Sequence, residues 1–347
     1  MDERSETRIL RMNMNEGGRG KGDGARLASW TPYAALALAV LVAPWVVTDT
    51  YLLSLGSLIG IFALAVTGLN LLIGMAGQVS LGQAAFFGLG AYGSGIFSVH
   101  FGLPVGAAML VAVAVACLVA LVLAVPTLKL EGHYLVMATL GFNIIFTIVC
   151  IQWEVVTGGT SGLFGIPGME LAGLNLSDDR NFFYLVWTVM VLVLWLCANF
   201  LRTRPGRALR SLHQGDLLPA SLGVPVIRYK VGLFVAAALL TALAGALYAH
   251  YFQFISPHSF DMFVSLQLVT MTALGGLGNL WGGIFGAAFL LLLPEWLHAW
   301  PDLMILLHGL ILMLVLMFFP KGLLPAVGEG GKRMMGTLRG NWGKKGI

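Results

Sequence analysis

The chain has 347 residues, of which 58% are hydrophobic and only 10% charged, with a formal net charge of +4. A soluble domain carries about 25% charged residues, so this chain lacks the charge needed to cover a water-facing surface. That excludes an ordinary soluble protein, and the placement of the basic residues requires no nucleic-acid-binding patch.

In chain order, residues 1–30 combine charges of both signs with Gly17, Gly18, Gly20, Gly22 and Gly24. This composition predicts a disordered tail. The charged segment is too long for the start of a signal peptide and no clear small-residue cleavage site follows, so the first apolar run reads as a retained span. From Pro32 to Phe319, apolar runs recur at the length a helix needs to cross about 30 Å of hydrocarbon. They are apolar on all sides, whereas membrane strands alternate. The expected fold class is therefore all-α, a polytopic helical membrane protein. Candidate spans lie at 32–48, 52–74, 79–99, 103–126, 133–152, 182–201, 231–252, 262–279, 281–299 and 303–319. Glycines crowd 79–99 and the end of 262–279, so these segments read either as close-packing helices or as broken, re-entrant ones. The expected count is about ten spans, or eight to ten with re-entrant segments. Glycine-rich breaks in both halves hint at an internal repeat.

Basic residues gather in three places: before Trp30, between Arg202 and Lys230, and after Phe319. With ten spans and an internal N-terminus, all three fall on one face, which the positive-inside rule makes cytoplasmic. The expected organisation is a cytoplasmic tail at 1–30, a transmembrane domain at 31–325 and a basic cytoplasmic tail at 326–347. Within the domain, 153–181 is an external loop holding Glu154, Glu170, Asp178 and Asp179, and 202–230 is a cytoplasmic loop.

Spans 133–152, 182–201 and 231–252 contain no Asp, Glu, Lys or Arg. Intramembrane ionisable groups mark proton relays and ion sites, so an ion-coupled carrier is disfavoured and the energy for transport comes from elsewhere. The polar residues that enter spans are uncharged. Asn70, Gln78, Ser80, Gln83, Thr139 and Asn143, together with Gln267, Thr270 and Thr272, serve either as helix-to-helix hydrogen bonds or as a polar lining for a translocation path. Cys117, Cys150 and Cys197 sit in apolar runs without metal-ligand spacing and read as buried hydrophobes. Glu295 and His298 share a helix face near Asp302, a conceivable metal pair without an evident third ligand. No metal site, cofactor or catalytic residue is expected, and no nucleotide-binding or hydrolase motif occurs. In the loop 202–230, Arg207 and Arg210 are neighbours at i, i+3. Asp216 is placed to cap a short helix that Gly223 would end. On these grounds alone the segment suits either a lipid surface or a cytosolic partner.

Five blocks in order resemble the branched-chain amino-acid ABC permease family, which includes leucine/isoleucine/valine and urea types. They run from Gly68 to Tyr92 (GLNLLIGMAGQVSLGQAAFFGLGAY), Thr157 to Leu163 (TGGTSGL), Ala244 to His250 (AGALYAH), Leu274 to Gly282 (LGGLGNLWG) and Phe319 to Leu323 (FPKGL). The resemblance implies a non-enzymatic permease subunit in the bacterial inner membrane. It implies a paralogous permease partner forming a heterodimer, two cytosolic ATP-binding subunits and an extracytoplasmic substrate-binding protein. It makes Gly206, Arg207, Arg210, Asp216 and Gly223 the ATPase-coupling motif, and Thr157, Gly158 and Gly159 the external loop. The sequence departs from the family pattern after Asp216, where Leu217, Leu218 and Pro219 replace small alanines. Branched-chain amino acids are the expected substrate. Urea or a short amide is an alternative, and a self-sufficient channel for a small neutral solute is a reading of another class.

Overall fold

The computed structural model describes residues 35–45, 49–127, 130, 132–171, 174–212, 221, 223 and 225–297, and single positions at 306, 309, 310, 313 and 317. The expected tails at 1–30 and 326–347, Asp216, His298, Asp302 and most of the expected span 303–319 lie outside the described residues. A short apolar helix, α1 (Ala35–Trp45), belongs to a separate unit of the chain.

The main unit is built of α-helices. In order these are α2 (Thr50–Ala76), α3 (Gln83–Val99), α4 (Val105–Thr127), α5 (His133–Gln152), the single turn α6 (Glu154–Thr157), α7 (Asp179–Arg202), α8 (Arg204–Leu212), α9 (Val226–Phe252), α10 (Met262–Gly275) and α11 (Gly282–Leu297). Five of them, α2, α4, α5, α7 and α9, are long and apolar enough to cross a membrane. The fold is all-α in its spanning body, as the composition requires.

Helix α2 is the axis of the unit. It is almost wholly enclosed, packed by α7, α9, α10 and α11. Its first turn explains the lone acid of that region: the Asp49 side chain accepts from the Tyr51 amide at 3.1 Å, an N-cap that satisfies an otherwise orphaned donor. Helix α4 shows how an all-apolar helix chooses its face. Ala108, Ala112, Ala116, Ala120 and Ala124 recur every fourth residue and are fully buried, while Leu110, Leu118 and Val122 are exposed. The small residues bring α4 close to α3 and α9; the large ones face outward, where lipid replaces water as the solvent. Helix α5 is likewise mostly uncovered.

Two expected spans, 79–99 and 262–279, take the broken form that the sequence left open, and a third, 281–299, is helical from Gly282 to Leu297, the last described residue of that segment. The segment 79–99 is not one helix: residues 77–82 are non-helical and α3 begins at Gln83. Its 17 residues reach only about 25 Å at 1.5 Å per residue. The segments 262–279 and 281–299 become α10, of 14 residues, and α11, of 16. Gly276 and Gly278, both at positive φ, lie in the turn between them. Broken backbone at this depth is tolerated only inside protein or beside a water-filled space.

Short strands organise the loops between the helices. β1 (Leu163–Phe164) pairs antiparallel with β4 (Phe254–Ile255), and β2 (Glu170–Leu171) pairs with β3 (Leu174–Asn175). The first pairing ties the long loop after α6 to the loop between α9 and α10.

Candidate functional site

One of the two glycine-rich breaks is held by a single side chain. Asn70 Nδ2 donates to the Asn279 carbonyl at 2.7 Å and to the Gly276 carbonyl at 3.3 Å, and Asn70 Oδ1 accepts from the Gly278 amide at 2.8 Å. Asn70 thus satisfies the turn between α10 and α11, backbone that has no helical partner of its own. Among the expected path residues, it is the one most fully engaged in holding structure.

The break before α3 is held differently. The Leu81 amide donates to Thr139 Oγ1 on α5 at 3.1 Å, and the Gly82 amide reaches Ser80 Oγ at 3.4 Å. One turn into α3, the Ala84 amide donates to Ser265 Oγ on α10 at 3.1 Å. Gln83 Oε1 accepts from Thr241 Oγ1 at 2.9 Å. Thr241 lies mid-way along the 27-residue α9, so α3 starts in the middle of the bundle. Gly82 supplies no side-chain cap.

The remaining polar groups here are unmatched. Gln78 Oε1, Gln83 Nε2 and both amide atoms of Asn143 find no partner among the described residues, and neither does the hydroxyl of Tyr92. Asn143 and Gln83 are fully buried. Of the six expected path residues, Asn70, Ser80 and Thr139 therefore have structural hydrogen bonds, and Gln78, Gln83 and Asn143 retain unused capacity. Thr241, Ser265 and Tyr92 belong to the same region and were not singled out from sequence as path residues. Their signal, a polar residue in an apolar run, is too common to select them.

Outside this region, Ser94 Oγ lies 2.6 Å from His250 Nε2, and His250 Nδ1 lies 2.9 Å from the Pro167 carbonyl. A carbonyl only accepts, so Nδ1 donates to it and Nε2 accepts from Ser94. This chain of bonds fastens the loop between α6 and α7 to α3 and α9. Glu295 accepts from the Tyr51 hydroxyl. Among the described residues no group of three or more His, Cys, Asp or Glu is placed to hold a metal. Cys150 and Cys197 are buried and Cys117 is half-buried, all as free thiols.

The turn from Thr157 to Gly162 is compact. Thr157 is buried, and its hydroxyl donates to the Cys150 carbonyl at 2.6 Å and the Trp153 carbonyl at 2.8 Å, while accepting from the Gly159 amide at 3.3 Å. Gly158 ends α6 in the left-handed region at φ 78°, and a Cβ there would collide with the Gly162 carbonyl. Thr157→Val is expected to lower stability by about 1–3 kcal/mol, because the isosteric methyl leaves buried groups unsatisfied. Thr157→Ser keeps the hydroxyl. Melting of the two purified variants in detergent checks this: valine must melt well below serine.

On the opposite end of α7, the chain runs almost directly into α8. Thr203 breaks the helix and its hydroxyl donates to the Phe200 carbonyl at 2.6 Å. Gly206 and Leu209 are buried, and α8 packs on α2, α7 and α9. Arg207 and Arg210, on the other face, are exposed. Arg207 also donates to the Arg202 carbonyl at 3.0 Å, which anchors the side chain near the end of α7. Gly223, at φ 79°, is exposed with open space around it.

The family described as "Branched-chain amino acid transport system / permease component" matches residues 51–319. The chain belongs to this family. Relatives of this permease family include the high-affinity branched-chain amino acid transport system permease protein LivM of Escherichia coli K12. It is 29% identical over 329 residues, covering 88% of this chain and 77% of the relative. The probable branched-chain amino acid transport permease protein LivM of Methanocaldococcus jannaschii is 23% identical over 58% of this chain and 62% of its own length. The permease protein LivH of Escherichia coli K12 matches at 27% over 40% of this chain and 46% of its own length. No solved structure matches. Family membership and the five long apolar helices make this permease a multi-pass membrane protein.

Proposed function

We propose that the chain is the membrane-spanning subunit of an ATP-driven, binding-protein-dependent importer of branched-chain amino acids in the bacterial inner membrane. The family match over residues 51–319 carries this reading. The chain is similar both to LivM and, over a shorter stretch, to LivH, which supports a paired, paralogous permease in a heterodimer. The reading adds two cytosolic ATPases and an external binding protein. Both termini and the loop 202–230 are cytoplasmic, and 153–181 is external, with Thr157, Gly158 and Gly159 forming its tight, mostly buried turn. Ten membrane passages, some of them built from the short helices α3, α10 and α11, accommodate this sidedness. Asn70, Gln78, Ser80, Gln83, Thr139 and Asn143 border the translocation path.

Coupling to ATP hydrolysis runs through α8, with Gly206 seating the helix, Arg207 and Arg210 meeting the ATPase, and Asp216 and Gly223 completing the motif. Juxtaposing wrong charges at a protein interface costs several kcal/mol. Reversing Arg207 and Arg210 together to Glu is therefore expected to lower ATP-dependent uptake by about tenfold or more, since each 1.4 kcal/mol is a factor of ten.

The test is uptake of labelled leucine into liposomes holding both permeases and both ATPases, with binding protein outside and ATP inside. Uptake that needs ATP and falls in the double Glu variant supports the reading. Urea uptake in place of leucine overturns the substrate. Flux through this chain alone, without ATP, overturns the mechanism in favour of a channel.

A further inference from the structure

Four of the five unmatched polar atoms belong to residues near the start of α3; the fifth, the Tyr92 hydroxyl, lies nine residues further along that helix. Gln83 is the first residue of that helix, and Gln78 lies in the non-helical segment just before it. Asn143 is on the α5 face that also presents Thr139 to Leu81. Its neighbours Phe142 and Phe146 reach α3 at Phe86, with ring centroids 5.3 Å apart, and at Gly88. Asn143 therefore opposes the first turn of α3. Helix α3 presents the positive end of its dipole there, with no side-chain cap at Gly82, and of its first amides that of Ala84 is taken by Ser265 Oγ, leaving those of Gln83 and Ala85.

The chemistry of this cluster is two-sided. Gln83 Nε2 and Asn143 Nδ2 are donors; Gln78 Oε1 and Asn143 Oδ1 are acceptors. Helices α2, α3 and α5 bring no Lys, Arg, Asp or Glu to it. A lone anion would leave the acceptors unmatched, and a lone cation would leave the donors unmatched and oppose the helix dipole. A guest that has both signs and no net charge satisfies both sets. Further along α3, from Leu89 onward, lies an apolar cavity of about 690 Å³, lined by α3, α4, α5 and the turn from Val155 to Thr157. Phe146, one turn beyond Asn143 on α5, and Tyr92, whose rings meet edge-on at 6.4 Å, border it, and the unmatched Tyr92 hydroxyl lies on this cavity side.

We propose that the start of α3 is a binding station for the zwitterionic head of an α-amino acid. The carboxylate accepts from Gln83 Nε2, Asn143 Nδ2 and the amides of Gln83 and Ala85. The ammonium donates to Gln78 Oε1 and Asn143 Oδ1. The aliphatic side chain points to the apolar cavity. This rests on the amino-acid importer reading and adds to it a substrate contact within this subunit, separate from the binding protein.

The test uses the assembled complex of both permeases and both ATPases in nanodiscs, without binding protein, so that only the membrane subunits bind ligand. Binding of labelled leucine, leucinamide, 4-methylpentanoate and urea is measured at millimolar concentration for the wild type and for Asn143→Leu, Asn143→Asp and Asn143→Gln. Size-exclusion profile and basal ATP hydrolysis establish that each variant is assembled. Leucine binds the wild type while both one-sided analogues fail. Asn143→Leu weakens leucine binding by about tenfold or more, and Asn143→Gln restores part of it. Asn143→Asp shifts preference from leucine to leucinamide, because its carboxylate repels the substrate's own and attracts the ammonium; a role in packing alone would not produce that shift. Equal leucine binding by the wild type and Asn143→Leu, or equal binding of leucine and its analogues, overturns the station, as does absence of binding. Failure of the importer reading is separate: a complex that binds leucine with this dependence on Asn143 yet shows no ATP-driven uptake retains the station and loses the transport assignment.

Discussion

Asn70→Leu is expected to cost roughly 1.5–4.5 kcal/mol, from the loss of three hydrogen bonds each worth about 0.5–1.5 kcal/mol. Leucine has nearly the shape of asparagine but neither its donor nor its acceptor. The Gly278 amide, 2.8 Å from Asn70 Oδ1, loses its acceptor, and the Asn279 carbonyl, 2.7 Å from Asn70 Nδ2, is left with the Gly282 amide at 2.9 Å alone. Total stabilities of folded domains are only about 5–15 kcal/mol, so the variant is expected to be poorly folded or to release the turn between α10 and α11. Asn70→Asp offers no rescue: one oxygen still accepts from Gly278, but the other faces the Gly276 and Asn279 carbonyls. Monodisperse yield and thermal melting in detergent measure both effects. A leucine variant that melts with the wild type would remove the central role assigned to this side chain.

The second large effect is expected at Gly245. Helices α9 and α3 cross there so closely that a Cβ would overlap the Phe87 carbonyl, and a Cβ at Gly90 would overlap the Ala242 carbonyl from the other side. Backbone on a packed helix cannot swing away as a side-chain tip does. Gly245→Leu is therefore expected to destabilise by about 3 kcal/mol or more through overpacking, separating α3 from α9 and with it Gln83 from Thr241. Gly232 is the matched control. It lies on the same helix with open space around it, so Gly232→Ala is expected to be neutral or to stabilise by up to about 1 kcal/mol through helix propensity. Opposite signs for the two substitutions in melting temperature would confirm that the crossing, not glycine as such, sets the cost. Equal effects would contradict it.

Much of the architecture is written in local pattern. Apolar runs of membrane length, charged only toward their ends, locate α2, α4, α5, α7 and α9, because the hydrocarbon core demands length and apolarity from each helix independently. The exposed Arg207 and Arg210 on α8 follow from a short charged segment after an apolar one. The blocks from Gly68 to Leu323 identify the family because they are contiguous in the chain.

What the sequence by itself did not determine are the partnerships between distant segments. A glycine-rich run reads equally as a tight helix or as a broken one; only packing decides, and it makes residues 77–82 non-helical while leaving α3 helical through Gly88, Gly90 and Gly95. Asn70, Thr139 and Asn143 look alike in sequence, each one polar residue in an apolar span. The tertiary structure separates them: Asn70 holds a turn more than 200 residues away, at Asn279, Thr139 holds the start of α3, and Asn143 is left with its hydrogen-bonding capacity unused. The physical reason is that burial forces every polar group to find a partner, but the identity of that partner is set by which helices the fold brings together, and helical periodicity does not record it.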